Sequence, residues 1–183
     1  LRKNRKETAE VLSARILTEL AQLDMPKVQF ACQFTELELT AGGADAVAFY
    51  MSANIGEALK PMSKVASGGE LARIMLAMKN VLAEKDQVNT LIFDEVDTGV
   101  SGKAAEKIAI KLKEISLGKQ VIVVTHLAQI AAYAHSHFLI AKSVSDQRTF
   151  TSVTPLDKDG RIEELARIMG GMQPTAATLA AAE

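Results

Sequence analysis

Cysteine occurs once in this chain, at position 32, so no intramolecular disulfide can form, and the usage suits a reducing compartment. Cys32 falls in the apolar alternation Val28, Phe30, Cys32, Phe34, which predicts a structural thiol rather than a nucleophile. No apolar run is long enough to cross a bilayer, and the basic start Leu1-Arg2-Lys3-Asn4 has no apolar signal core behind it. A cytoplasmic location without membrane partners is therefore expected. Charge of one sign is also lacking. The 21 basic and 22 acidic residues leave a net charge of -1, which excludes a protein-wide positive field for nucleic acid. Any contact with DNA must be local or lie outside this segment. The basic cluster Arg2, Lys3, Arg5, Lys6 is a candidate, although a solvated helix face reads the same way. The chain has no initiator methionine and begins mid-pattern, as expected of a segment cut from a longer one. Neither an internal repeat nor a low-complexity linker interrupts it.

What is present is apolar content, 48% of 183 residues, sufficient for a sizeable core in one globular unit. Leu12, Ile16, Leu20 and Leu23 form one helical stripe near the start. Two alternating segments, Val28 to Leu39 and Val47 to Met51, flank Gly42-Gly43 and predict a β-hairpin. From Leu71 onward the pattern changes. A helix carrying Leu71, Ile74, Met75, Met78 and Leu82 leads to a strand over Thr90 to Phe93. A helix with Ile108, Leu112 and Ile115 then precedes a strand over Gln120 to Thr125 and a short helix through Ile130. Strands alternating with helices indicate parallel βαβ units, whose ligands gather at the carboxyl ends of the strands. Two more strands are expected over Phe138 to Ala141 and Arg148 to Val153, then a helix from Ile162 to Met169 stopped by Gly170-Gly171. The alanine-rich end, Pro174 to Glu183, can begin another helix.

Three stretches carry chemistry. Thr90-Leu91-Ile92-Phe93-Asp94-Glu95 delivers adjacent carboxylates to a strand end, where an unpaired charge is costly. Nucleotide-bound Mg²⁺ would supply a partner, with Asp94 holding the metal and Glu95 polarising the water that attacks a γ-phosphate. Solvated acidic turns after strands look similar. Ser67-Gly68-Gly69-Glu70 opens directly into the Leu71 helix, so a hydroxyl, unencumbered N–H groups and a positive helix end can converge on an anion. A serine cap with flexible glycines is the plainer reading. Val121-Ile122-Val123-Val124-Thr125-His126 brings an imidazole to the same sheet edge, able to hydrogen-bond a γ-phosphate. Between these strands, Val96-Asp97-Thr98-Gly99-Val100-Ser101-Gly102 can bend back across the site, which makes Asp97 and Ser101 candidate nucleotide contacts. A plain turn with a helix cap is the alternative.

In this order, Ser-Gly-Gly-Glu, Leu-Ile-Phe-Asp-Glu and Val-Thr-His resemble the signature motif, Walker B strand and switch histidine of ATP-binding-cassette ATPases. Transporters usually continue Asp-Glu with Pro-Thr, whereas this chain reads Asp94-Glu95-Val96-Asp97-Thr98-Gly99. That continuation resembles the RecN family of bacterial DNA-repair proteins, as do Ala66 to Arg73, Thr125 to Ala131, Leu23-Asp24-Met25 and Arg161 to Gly171. Ile55 and Ala128 stand where that family commonly has proline, which bears only on turn rigidity. A Gly-x-x-x-x-Gly-Lys-Ser/Thr loop is absent. Gly99-Val-Ser-Gly-Lys-Ala104 has the wrong spacing and no hydroxyl after the lysine.

The resemblance implies an α/β fold, the C-terminal lobe of a P-loop ATPase head of ABC/SMC type. It would be a largely parallel sheet flanked by helices, with an N-terminal helix and a β-hairpin. Residues 1–24 would end a returning coiled-coil arm and 25–183 would form the C-terminal half of the head. ATP and Mg²⁺ are the implied cofactors: Asp94 holds the metal, Glu95 and His126 are catalytic, and Ser67, Gly68, Gly69, Glu70, Asp97 and Ser101 contact nucleotide. The implied partners are an N-terminal half bearing the Walker A loop, a second head in an ATP-dependent homodimer, and DNA through the full-length protein. The implied setting is the bacterial cytoplasm, at the nucleoid, in double-strand-break repair and recombination. Two other readings stay open. One is a dimerisation and DNA-tethering module with incidental hydrolysis, which DNA-stimulated ATPase activity would argue against. The other is a transporter ATPase subunit, disfavoured by Val96-Asp97.

Overall fold

The first helix, α1 (Arg2–Gln22), is solvated on its opening turns and buried on its last. Ile16 and Leu20 are fully buried and Leu23 just beyond them nearly so, so the apolar stripe anchors only the helix's end. The chain reverses at Asp24, whose φ of 65° is the left-handed conformation glycine more often supplies after a helix. It then enters the hairpin of β1 (Gln29–Thr40) and β2 (Gly43–Ser52), paired antiparallel from Gln29↔Ser52 to Thr40↔Gly43, with a slip in register between Glu36 and Thr40. Gly43, at φ 101°, satisfies the tight turn. Phe30 and Met51 point inward, and the Phe30 and Phe49 rings meet at a tilt of 34° with centroids 5.5 Å apart. Cys32 is half-buried, its Sγ 3.7 Å from Ser13 Oγ. A two-residue strand, β3 (Lys60–Pro61), extends this sheet beside β2 and precedes a single 3-10 turn at Met62–Lys64. The computed structural model describes every residue except 55, 65–67, 84–86, 146–147 and 172–174, together with all side chains of the others save that at 145.

The middle of the chain forms α2 (Gly68–Leu82), β4 (Thr90–Phe93), α3 (Gly102–Ser116), β5 (Gln120–Val123) and the single turn α4 (Ala128–Ala131). Strands β4 and β5 run parallel in register, Thr90↔Gln120 through Phe93↔Val123. The last third comprises β6 (His137–Ser145) and β7 (Arg148–Leu156), antiparallel, followed by α5 (Lys158–Gly170) and α6 (Ala176–Ala182). Helix α5 starts four residues before its apolar pattern does, because Asp157 caps it by accepting a hydrogen bond from the Gly160 N–H at 2.9 Å. Thr175 and Thr178 cap each other's backbone at the start of α6. Among the described residues, no helix is long and apolar enough to cross a membrane.

Among the described residues, the expected largely parallel sheet is corrected by three small ones, of which only β4–β5 is parallel. The cause lies in the connections. A parallel pair needs a crossover of a dozen residues or more, and in this sheet α3 provides it. The hairpin β1–β2 and the pair β6–β7 turn back too soon for anything but antiparallel pairing. The α/β character stands, as a mixture of short sheets and helices.

One apolar cluster joins the parts, contributed by α1 (Ile16, Leu20), α2 (Ile74, Leu76, Ala77), the hairpin (Phe30, Met51), β4 (Leu91, Phe93) and α3 (Ala105, Ile108, Ala109, Leu112). Polar contacts sew the same helices together. Glu19 of α1 accepts from Asn80 of α2 at 2.7 Å and lies 3.1 Å from the Lys111 ammonium of α3. Burial alone would lower the Lys111 pKa, but Glu114 and Glu19 outweigh it and raise the group above its ordinary value. Because α1 ends inside this core, Leu20→Ala should cost about 2–5 kcal/mol. Val11→Ala, on the exposed part of the same helix, should cost no more than about 0.5 kcal/mol. Urea denaturation of the two variants against wild type checks this; equal losses would detach α1 from the core.

Candidate functional site

Because β4 and β5 end level with each other, the polar residues that follow them emerge along one edge. Asp94 and Glu95 follow β4 directly, and Thr125 and His126 follow β5 after Val124. The carboxylates of Asp94 and Glu95 are exposed, and one Asp94 oxygen accepts from the Glu95 N–H at 3.0 Å. Glu95 sits at φ 59°, a left-handed conformation that costs a side chain with a Cβ on the order of 1–2 kcal/mol. Such a turn ends the strand abruptly and aims the glutamate away from the strand's path.

Asp97, two residues further on, is only 2% exposed. Its Oδ2 accepts from the Thr125 hydroxyl at 2.5 Å and from the His126 N–H at 3.0 Å, and lies 3.1 Å from His126 Nδ1. The Thr125 hydroxyl in turn accepts from the Leu127 N–H at 3.1 Å. A single buried carboxylate thus clasps the end of one strand to the end of the next, leaving the imidazole on the surface. No buried side-chain polar atom among the described residues lacks a hydrogen-bond partner.

The start of α2 packs against the same edge. A Cβ added to Gly68 would lie 2.5 Å from Glu95 Oε2, and one added to Gly69 would lie 2.7 Å from the Thr98 carbonyl oxygen. The glycines therefore permit close approach within one chain, in addition to leaving their N–H groups unencumbered. One turn later Arg73, 9% exposed, donates from Nη1 to the Thr98 carbonyl at 2.9 Å, with Nε 3.5 Å from Met25 Sδ. Burial lowers its pKa and Glu70 opposes that shift. Arg73 thereby joins the end of α1, the helix α2 and the loop after β4. Sequence reading missed it, although a charge beside Ile74 and Ala77 on an apolar helix face was the available signal.

Of the other expected site residues, Ser67 lies outside the described residues, as does Ile55. Glu70 is half-buried in the first turn of α2. Ser101 precedes α3 in extended conformation, exposed, without a side-chain capping bond. The structure brings Asp94, Glu95, Gly68, Gly69, Asp97 and His126 to one edge. Two members of the basic cluster are committed elsewhere: Arg2 pairs with Asp45 at 2.7 Å and Glu36 at 3.4 Å, and Arg5 donates to the Gly42 carbonyl at 2.6 Å. They hold the hairpin against α1.

Among the described residues no three His, Cys, Asp or Glu side chains are grouped to hold a metal. Magnesium does not require that. It commonly binds one or two carboxylates and completes its shell with phosphate oxygens and water, so the exposed Asp94–Glu95 pair fits a cation that arrives with a nucleotide. The sheet above this edge is covered on one face only. Leu91 and Phe93 are buried, whereas Ile92, Ile122 and Val124 are 69%, 45% and 46% exposed. Parallel strands are ordinarily covered on both faces.

The two glycines predict different costs. Gly69→Ala meets backbone, and overpacking of about 1–3 kcal/mol exceeds the roughly 1 kcal/mol of helix propensity gained. Its melting midpoint should fall by about 2–4 °C. Gly68→Ala meets only the flexible tip of Glu95 and should not lower the midpoint. Thermal unfolding of both variants decides it, and an unchanged Gly69→Ala would dissolve the close approach.

No family model matches the chain. It is 43% identical over 187 residues to DNA repair protein RecN of Bacillus subtilis, covering 93% of this chain and 32% of that protein. The chain thus spans about a third of the length of the curated relatives it matches. Among solved structures it resembles the Smc head domain with a coiled coil and joint from Pyrococcus yayanosii, at TM-score 0.61 and 22% identity over 87% of this chain and 29% of that one. It also resembles a chain from a study of ATP-driven dimerization and DNA-stimulated activation of SMC ATPases, at TM-score 0.56 and 22% identity, covering 94% of this chain and all of the other. The fold is SMC head domain-like, and by sequence the chain is similar over nearly its whole length to about a third of the RecN DNA repair proteins.

Proposed function

We propose that this chain is the C-terminal half of an ATP-hydrolysing head, residues 1–24 ending a coiled-coil arm and residues 25–183 contributing the catalytic edge. The observation that carries the reading is the common edge of β4 and β5, where Asp94, Glu95 and His126 emerge together and the first turn of α2 packs against Glu95. Asp94 holds magnesium, directly or through water. Magnesium carried by ATP supplies positive charge against the phosphate oxygens. Glu95, exposed and turned out of the strand, takes a proton from the attacking water. His126 addresses the terminal phosphate oxygens. Gly68, Gly69 and Glu70 at the start of α2, with Ser67 preceding them in the sequence, meet the nucleotide held by a second head, with the Asp97–Ser101 loop contributing to the same contact.

The rest of the head, bearing the lysine loop that holds the β- and γ-phosphates, packs on the bare face of Ile92, Ile122 and Val124. Two complete heads close around ATP and reopen on hydrolysis, and the arm carries that motion to DNA in double-strand-break repair and recombination, in the bacterial cytoplasm at the nucleoid. The likeness to a chain from a study of ATP-driven dimerization and DNA-stimulated activation of SMC ATPases supports the dimer. The bare sheet face supports a covering half.

The test is Glu95→Gln in the full-length protein. ATP binding should persist, steady-state turnover should fall roughly 100-fold or more, and closed dimers should accumulate in size-exclusion chromatography with ATP. Turnover at the wild-type rate would remove Glu95 from the chemistry.

A further inference from the structure

The His126 ring has two nitrogens, and only one of them can meet a ligand. Nδ1 lies 3.1 Å from Asp97 Oδ2, whose residue is 2% exposed, while the His126 side chain is 75% exposed. A carboxylate oxygen offers only lone pairs, and a lone pair on a nitrogen 3.1 Å away would repel it, so the proton of the neutral ring is favoured on Nδ1. The opposite nitrogen, Nε2, is then the atom left for solvent or ligand. Oδ2 also accepts from the Thr125 hydroxyl and the His126 N–H, which hold the carboxylate in place and keep it from following the ring.

We infer that Asp97 is a positioning residue: it fixes the proton of His126 on Nδ1 and presents Nε2 to the terminal phosphate, without touching nucleotide itself. This rests on the nucleotide reading of His126 and alters the expectation for Asp97, whose Oδ2 is already shared among three groups of its own chain. The logic is that of a carboxylate that orients an imidazole and sets its tautomer.

Asp97 has two jobs, clasping the strand ends and orienting the ring, and one oxygen does both. An amide cannot separate them, because whichever of its two atoms stands at Oδ2 meets all three groups. Asp97→Ala removes both jobs and leaves the ring without the carboxylate. Thr125→Val weakens the clasp alone, since the His126 N–H still holds the carboxylate facing the ring.

The experiment measures ATP turnover and ATP affinity of Asp97→Ala, His126→Ala, their double variant and Thr125→Val in the full-length protein, with melting midpoints for each. His126→Ala should lose about 100-fold in turnover. Asp97→Ala should lose at least about tenfold, and the double variant no more than His126→Ala alone, because residues acting as one unit do not add. ATP affinity should stay within about threefold of wild type, and Thr125→Val should lose less turnover than Asp97→Ala. Histidine-selective ¹⁵N spectra, assigned by difference with a His126→Gln variant, should show neutral His126 protonated on Nδ1 in wild type and mainly on Nε2 in Asp97→Ala.

Wild-type turnover in Asp97→Ala beside a crippled His126→Ala would overturn the positioning role alone. So would multiplicative losses, or a Thr125→Val defect equal to that of Asp97→Ala, which would reduce Asp97 to a strand clasp. Full activity in His126→Ala would instead overturn the nucleotide reading beneath it. Should Asp97→Ala not fold, the wild-type spectrum decides, and a proton on Nε2 contradicts the inference.

Discussion

Two parallel strands ending at the same level are the constraint from which the site follows. The Phe93↔Val123 pairing brings the residues after β4 and those after β5 to one rim, and the buried Asp97 carboxylate fastens the two exits together. The Val124 N–H bond to the Phe93 carbonyl continues the ladder one residue past β5, and the clasp joins the two chains beyond it. An exposed acid pair and an imidazole are thereby held on one rim. Burying a carboxylate is costly unless its hydrogen bonds are made, and here three groups from the neighbouring strand's end surround one oxygen.

The frame is tied outward as well. Arg73 bonds the Thr98 carbonyl of the loop that carries Asp97 and touches Met25 just past the end of α1. Glu19, near the end of α1, meets Asn80 of α2 and Lys111 of α3. A displacement of α1 would therefore be felt through buried contacts at the loop after β4, and the loop's movement at the edge of the sheet. The proposed arm has a physical route to the proposed chemistry, in which Arg73 is the shortest link.

Much of this was legible in the residues. Strand β4 was readable to its exact limits because an unbroken Thr90-Leu91-Ile92-Phe93 run ends in charge, and the hairpin because alternation flanks a glycine pair. The parallel sheet was over-read. Helix–strand alternation holds only through β5, and the pattern around β6 and β7 does not reveal that they pair with each other. Strand β3 is two residues long and carries no periodic signal. At the site, residue types and order were legible, but burial was not. Nothing in Asp94-Glu95-Val96-Asp97 tells which aspartate faces solvent and which is enclosed, since that depends on Thr125 and His126, 28 and 29 residues away. The dual use of Gly68 and Gly69, as close-approach points in their own chain, is likewise visible only in three dimensions.

The most direct test of the whole account is a crystal structure of the full-length head with magnesium and a non-hydrolysable ATP analogue. The metal should lie at Asp94, the Glu95 carboxylate beside the space for an attacking water, and His126 Nε2 within hydrogen-bond distance of a γ-phosphate oxygen, all around one nucleotide. A nucleotide bound elsewhere, with Asp94, Glu95 and His126 facing bulk solvent, would contradict it.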